Sequence, residues 1–243
     1  NNTSVKGGGI YSDSGASNTA TISRSTVDHN QAPVDETSNG GGIANHGNLI
    51  LENSTVCNNN AAASGGGIFN NASASISSST ICSNLAGNGP TATGGGIYSA
   101  APGVVTLRNT IVGDNLDHFS IPSDVGGEWS SGGYNLIETT PQNIPSTAAG
   151  DIFGKDADLL PLGNYGGPTR TVSFQPSSIA IDAGTPTQFP LTDQRGVGRP
   201  QPGNLGAIVR PDIGAYERAV TAFTVTKTAD TNDGVCDSDC SLR

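Results

Sequence analysis

The sequence predicts an all-β chain: a right-handed parallel β-helix, or solenoid, with an irregular C-terminal cap. Three observations carry this. A Gly-Gly-Gly-Ile phrase occurs at 7–10, 40–43, 65–68 and 94–97, at intervals of 33, 25 and 29 residues, about one solenoid coil. After each phrase comes a second block, at 20–30, 49–59, 74–84 and 105–115, whose apolar residues fall into columns. The variation in interval is confined to connections rich in Ser, Asn, Gly and Pro, so the strands keep their length while insertions loop out.

The columns define each element. Ala20, Leu49, Ala74 and Val105 share one position, and Ile22, Leu51, Ile76 and Leu107 the position two further on. Residues two apart face the same side of a strand, so both columns point inward. Val27, Val56, Ile81 and Val112 make a third column; Ile10, Ile43, Ile68 and Ile97 make a fourth. One coil alone cannot bury such residues, but parallel stacking joins them into continuous aliphatic ladders. Parallel crossovers in one sheet are overwhelmingly right-handed. Beside the isoleucines stand Tyr11, Phe69 and Tyr98, a set broken by Ala44. The glycine triplets mark a tight corner where a Cβ would clash or φ is positive. Asn30, Asn59, Asn84 and Asn115 form a polar column, expected to hydrogen-bond along the stack.

Residues 1–137 are read as coils, the last being a degenerate fifth with Gly126-Gly127 replacing the triplet, Trp129 in a turn, and 134–137 as its strand. Between 138 and 218, ten prolines from Pro141 to Pro211 break any regular coil, yet apolar islands persist. This stretch is expected to fold over the last open rung as a cap, since an uncovered rung is a template for edge pairing. Residues 219–243 form a separate tail with a strand around Phe223 and Val225, expected to dock on the first rung of a neighbouring copy and join subunits head to tail; the alternative is that it folds back on its own cap.

Composition narrows the function. The net charge is −10, with 11 basic residues and no basic cluster, which counts against a nucleic-acid groove. No apolar run reaches the length of a membrane span. The chain begins at Asn1 with no secretory signal in view; an upstream leader would have been removed or left out. Cys57 and Cys82 occupy one column in successive coils, where strand spacing suits a disulfide; two stacked thiols are the alternative. Cys236 and Cys240 suit a small bridged loop, and no Cys/His spacing suits zinc. Disulfides would place the chain outside the cytoplasm. Asp230, Asn232, Asp233, Asp237 and Asp239 gather oxygen donors for Ca²⁺, although their spacing misses the EF-hand pattern. No other cofactor is expected.

No paired carboxylates stand at a spacing that suits glycoside chemistry, and no catalytic residue is assigned. Asp28-His29 reads as a solvated turn, His46 and His118 as isolated, and Arg195, Arg199 and Asp193 as a structural ion-pair group. The chain is therefore expected to be no enzyme.

A resemblance then becomes specific. The runs Leu159-Leu160-Pro161-Leu162-Gly163-Asn164-Tyr165-Gly166-Gly167-Pro168-Thr169-Arg170-Thr171, Ile179-Ala180-Ile181-Asp182-Ala183-Gly184, Thr192-Asp193-Gln194-Arg195-Gly196-Val197-Gly198-Arg199-Pro200 and Pro211-Asp212-Ile213-Gly214-Ala215-Tyr216-Glu217 resemble the choice-of-anchor Q domain of bacterial β-helix surface proteins. Ser178-Ile179 replaces the family's Ser-Pro, and Pro211 a frequent Cys. The glycine phrases are similar to those of polymorphic outer-membrane-protein-like surface proteins. Cys240-Ser241-Leu242-Arg243 resembles the motif that opens such chains. The resemblance implies secretion and attachment at the cell surface. The reading is a secreted structural or adhesive protein forming homo-oligomers or filaments. The alternatives are a carbohydrate-active β-helix, binding or cleaving a glycan, and a passive stalk presenting another domain.

Overall fold

A computed structural model describes residues 2–13, 18–33, 38–87, 93–145, 148–204 and 208–220. It is a parallel β-solenoid of about four turns, with no α-helix among the described residues. Coil one comprises β1 (Ile10–Ser12), β2 (Thr19–Ser23), β3 (Thr26–Asp28) and β4 (Gln31–Ala32). Coil two repeats them as β5 (Ile43–Asn45), β6 (Asn48–Glu52), β7 (Thr55–Cys57) and β8 (Asn60–Ala61). Coil three has β9 (Ile68–Asn70), β10 (Ser73–Ser77), β11 (Thr80–Cys82) and β12 (Leu85–Ala86). Coil four has β13 (Ile97–Ser99), β14 (Val104–Arg108) and β15 (Ile111–Gly113). A shorter fifth coil has β16 (Val125–Gly127), β17 (Trp129–Ser131) and β18 (Leu136–Ile137), and β19 (Ile152–Phe153) lies against β18.

Equivalent strands stack into four sheets: β1-β5-β9-β13-β16, β2-β6-β10-β14-β17, β3-β7-β11-β15-β18-β19 and β4-β8-β12. The registers are those the columns require. Ile43 pairs with Ile10 and Ile68, and Ile97 with Ile68. Leu49 pairs with Ala20 and Ala74, and Val56 with Val27 and Ile81. These side chains fill one continuous interior, with Ile43, Leu51, Val56, Ile68, Ile76, Ile81 and Ile97 wholly buried. Each such aliphatic contributes roughly 1.5–3 kcal/mol by leaving water.

The triplets divide their work. The first glycine of each, such as Gly65 at φ +69°, turns the corner in the left-handed region. The second lies against main chain: a Cβ on Gly66 would stand 2.4 Å from the Leu85 carbonyl and 2.6 Å from the Gly95 oxygen. Beside them runs the asparagine ladder. Asn30 Nδ2 donates to Asn59 Oδ1 (3.1 Å), Asn59 to Asn84 (3.0 Å) and Asn84 to Asn115 (2.9 Å). The same oxygens accept the main-chain N–H of the preceding Asn. Asp124 ends the ladder, its Oδ1 accepting from Asn115 Nδ2 at 2.9 Å.

Two expectations are corrected. In the fifth coil Gly126-Gly127 do not take the place of the triplet but lie within β16, opposite Tyr98 and Ser99, and Val125 continues the isoleucine column. Trp129 opens β17 opposite Val105 and points inward, 8% exposed, edge-on to Phe153 at 6.2 Å. Those two rings plug the last rung. The expected cap is thus present in part, since Phe153 and β19 of the 138–218 stretch cover the last rung; the rest of the stretch runs back along the outside of the third sheet as a strap.

Hydroxyls on the outer face of that sheet receive the strap. Thr26 bonds the Arg170 carbonyl, Thr55 bonds Gln194 Oε1 (2.6 Å), and Thr80 Oγ1 accepts from Ala215 N (3.0 Å). Asn109 Nδ2 donates to the Asp212 carbonyl at 3.1 Å. A second apolar cluster (Ile111, Leu136, Phe174, Ala180, Ile181, Ile213) joins strap to coils. At the far tip Arg170 Nη2 meets Asp28 Oδ2 at 2.5 Å, so the strap reaches the first coil.

Candidate functional site

The described surface offers four places where chemistry gathers: an open end, an aromatic file, a thiol pair under the strap, and buried charge inside it. At the open end, the outer edges of β1, β2 and β3 have no partner strand among the described residues. Only β4 is extended, by a bridge between Thr3 and Gln31. Ile10, Ala20 and Ile22 are half-buried there, and a recess of about 280 Å³ is lined by Gly9, Ile10, Val27 and Asn30 among others.

The aromatic file lies on the outer face of the first sheet. Tyr11, Phe69 and Tyr98 alternate outward from the isoleucine ladder, and Tyr11 is 46% exposed. His46 fills the gap left by Ala44. Its ring stands 5.3 Å from Tyr11 and 5.8 Å from Phe69, which stacks on Tyr98 at 6.2 Å. A histidine that looked isolated in sequence therefore completes the column from the next corner. Lys6, Asn39, Ala44, His46 and Phe69 line a cavity of about 400 Å³ here. Burial, then the Lys6 ammonium, lowers the His46 pKa, with Asp13 opposing.

Cys57 and Cys82 face each other at the ends of β7 and β11. They are free thiols in this structure, with sulfurs 2.7 Å apart. Asp28 precedes them in the column and Gly113 follows. The reason for Gly113 was not legible: the Glu138 carboxyl occupies the place a side chain would take, 2.4 Å from a Cβ built there. Glu138 accepts from Asp114 N and Ala157 N, each at 2.8 Å. Burial raises its pKa to about 7 despite those bonds. Both oxygens are engaged by main chain, so the carboxyl holds the coil end together.

Inside the strap, Asp193, Asp212 and Glu217 are fully buried and Arg199 nearly so. Arg195 binds Asp193 at 2.7 Å and lies 3.7 Å over the Tyr216 ring. Arg199 donates to the carbonyls of Asp212 (3.1 Å) and Gly214 (2.7 Å), with Nε 3.6 Å from Glu217 Oε2. This is the structural ion-pair group expected from the sequence, extended by Asp212 and Glu217. Asp28-His29, read as a solvated turn, anchors Arg170 instead, with His29 Nδ1 also 2.7 Å from Asp28 Oδ2.

Phe223, Val225, Cys236, Cys240 and the acidic set Asp230, Asn232, Asp233, Asp237 and Asp239 lie outside the described residues. Among those described, no three His, Cys, Asp or Glu side chains come together as a metal site, and no helix is long and apolar enough to cross a membrane. No family model, curated protein or solved structure matches the chain.

Proposed function

We propose that this chain is a structural β-helix of the cell exterior, a module of a surface protein or fibre whose copies join end to end. The observation that carries the reading is the difference between the two ends. Trp129 and Phe153 plug one, while at the other the edges of β1, β2 and β3 have no partner among the described residues and lie over an apolar rung. Such an edge takes an added strand through main-chain hydrogen bonds. The occupant is the tail of a second copy, residues 219–243, where Phe223 and Val225 supply the alternating apolar side chains. A contact of this head-to-tail kind does not close on itself and propagates as a filament. The resemblance of 159–217 to choice-of-anchor Q regions supports a bacterial surface location, and the mechanical role needs no catalytic group.

Negative-stain microscopy and sedimentation of the full chain test this. Rods joined end to end are expected, with association lost in Ile22→Asp and in a chain ending at residue 220. Single particles at every concentration would refute it.

The aromatic file favours one further reading, contact with a glycan. Flat rings spaced one per coil, with Lys6 and Asn39 at the rim, offer stacking faces and polar partners along a line. Binding to insoluble polysaccharides is expected to weaken at least about fivefold in the Tyr11→Ala/Tyr98→Ala double variant, the loss of stacking worth roughly 0.5–1.5 kcal/mol per ring. Equal retention of wild type and variant would exclude the file as the contact.

A further inference from the structure

The stacked thiols have a geometry that neither a core role nor the rod reading requires. Cys57 and Cys82 are in-register partners on adjacent parallel strands, which sets their Cα atoms about 4.8 Å apart, inside the range a disulfide accepts. Their side chains face each other across the two strands. In the flanking coils the same column holds Asp28 and Gly113, so the pair bridges only coils two and three.

What covers the pair is the strap. Val172 packs on both sulfur-bearing residues together with Leu159 and Leu162. A cavity of about 410 Å³ separates this cover from the coil and is lined by His29, Cys57, Cys82, Ser83 and Asp114 among others. The thiols themselves are 2% and 1% exposed. The sulfur–sulfur hydrogen bond, followed by burial, pushes the Cys82 thiol well above its ordinary pKa, and thiolate is the reactive form. At rest the pair is quiet. The strap tip that would have to lift is held by Arg170 on Asp28 and by Thr171 on Thr55.

We propose that Cys57 and Cys82 are an inter-coil cross-linking site, oxidised by thiol–disulfide exchange with a low-molecular-weight disulfide, and that the 159–172 strap controls access to it. One cysteine loses its proton and attacks a sulfur of the reagent, forming a mixed disulfide and releasing one reagent thiolate, which takes up the proton. The second cysteine, deprotonated in turn, attacks the protein-side sulfur of that mixed disulfide. The Cys57–Cys82 bond forms and a second reagent thiol leaves. Two electrons pass from the protein to the reagent, and two hydrogens leave the chain.

The test uses the full chain carrying Cys236→Ser and Cys240→Ser, so that only this pair remains, incubated with oxidised glutathione at pH 8. Expected are the loss of two hydrogens in intact mass, no lasting glutathione adduct, and no titratable thiol after unfolding. Closing this 25-residue loop is expected to raise the unfolding midpoint by roughly 6–12 °C, reversed by dithiothreitol. Arg170→Ala, which frees the strap tip, should oxidise several-fold faster. Two thiols still titratable after unfolding, or a persistent adduct on one of them, would overturn the cross-link. Equal rates with and without Arg170 would overturn control by the strap.

Discussion

Replacing Gly66 with valine should leave a chain that no longer unfolds cooperatively, and even Gly66→Ala is expected to lose more than about 3 kcal/mol. The physical reason is what the new atom meets. A Cβ at Gly66 lies 2.4 Å from the Leu85 carbonyl carbon and oxygen and 2.6 Å from the Gly95 oxygen. All three belong to main chain that is hydrogen-bonded into the coils, so no side chain can swing aside. Relief requires parting coil three from its neighbours, which opens the isoleucine ladder and the asparagine ladder together. Gly166 is the control, with φ +93° and nothing within 4 Å of a built Cβ. Gly166→Ala meets only the backbone preference, about 1–2 kcal/mol. Urea denaturation of both variants, followed by far-UV circular dichroism, checks the contrast. Similar losses at the two glycines would mean that close approach is not what Gly66 supplies.

Arg199→Met is the second large effect, with an expected loss of about 3–5 kcal/mol at neutral pH. The guanidinium is the cation facing buried Glu217 and Asp212, while Arg195 pairs with Asp193, and removing Arg199 leaves two carboxyls that water cannot reach. The pH dependence follows from the directions of their shifts. Burial, reinforced by Glu217, raises Asp212 to about 7, and burial raises Glu217. For an acid with a raised folded pKa, the contribution to stability is fully present below its unfolded value near 4. It is lost as pH rises through the folded value near 7. Wild-type stability should therefore fall on the order of 2–4 kcal/mol between pH 4 and 7.5. Since Arg199 favours the ionised form of both carboxyls, its removal should steepen that fall. The deficit of Arg199→Met then shrinks at pH 4.5, well below the folded value of Asp212, where that carboxyl is protonated in either chain. A deficit of constant size across urea titrations at pH 4.5, 6 and 7.5 would show that the arginine acts by packing alone.

The two glycine and arginine sites differ in how much of them could be read beforehand. The coils were legible because strand periodicity and repetition act together: a column such as Ile10, Ile43, Ile68 and Ile97 fixes register, and one wrong step would turn every side chain over. The strand positions of the fifth coil escaped because those strands are short and Trp129 stands where earlier coils carry Ala, Leu or Val. The course of the strap escaped for a different reason. Proline-rich segments have no period, and their position depends on contacts far away in sequence. A signal was nevertheless present, since Thr26, Thr55 and Thr80 put a hydroxyl beside the inward valine or isoleucine in three successive coils. Repeated outward hydroxyls on a sheet face announce something that needs hydrogen bonds. Likewise Gly113, interrupting the column of Cys57 and Cys82, marked the space that Glu138 fills. The Ala44 gap hid His46 because the filling ring comes from two residues further along the chain.

The reach of the strap from the fifth coil to Asp28 in the first also sets how many coils fit between its two anchors. It works as a measuring tape fastened at both ends: Ile213 and Phe174 at one, Arg170 at the other, with a hydroxyl catch at each coil between. Duplicating a coil would preserve every ladder, yet it would carry Asp28 one strand spacing, about 4.8 Å, beyond the tape's grip. A coil inserted between the anchors therefore requires a longer tape.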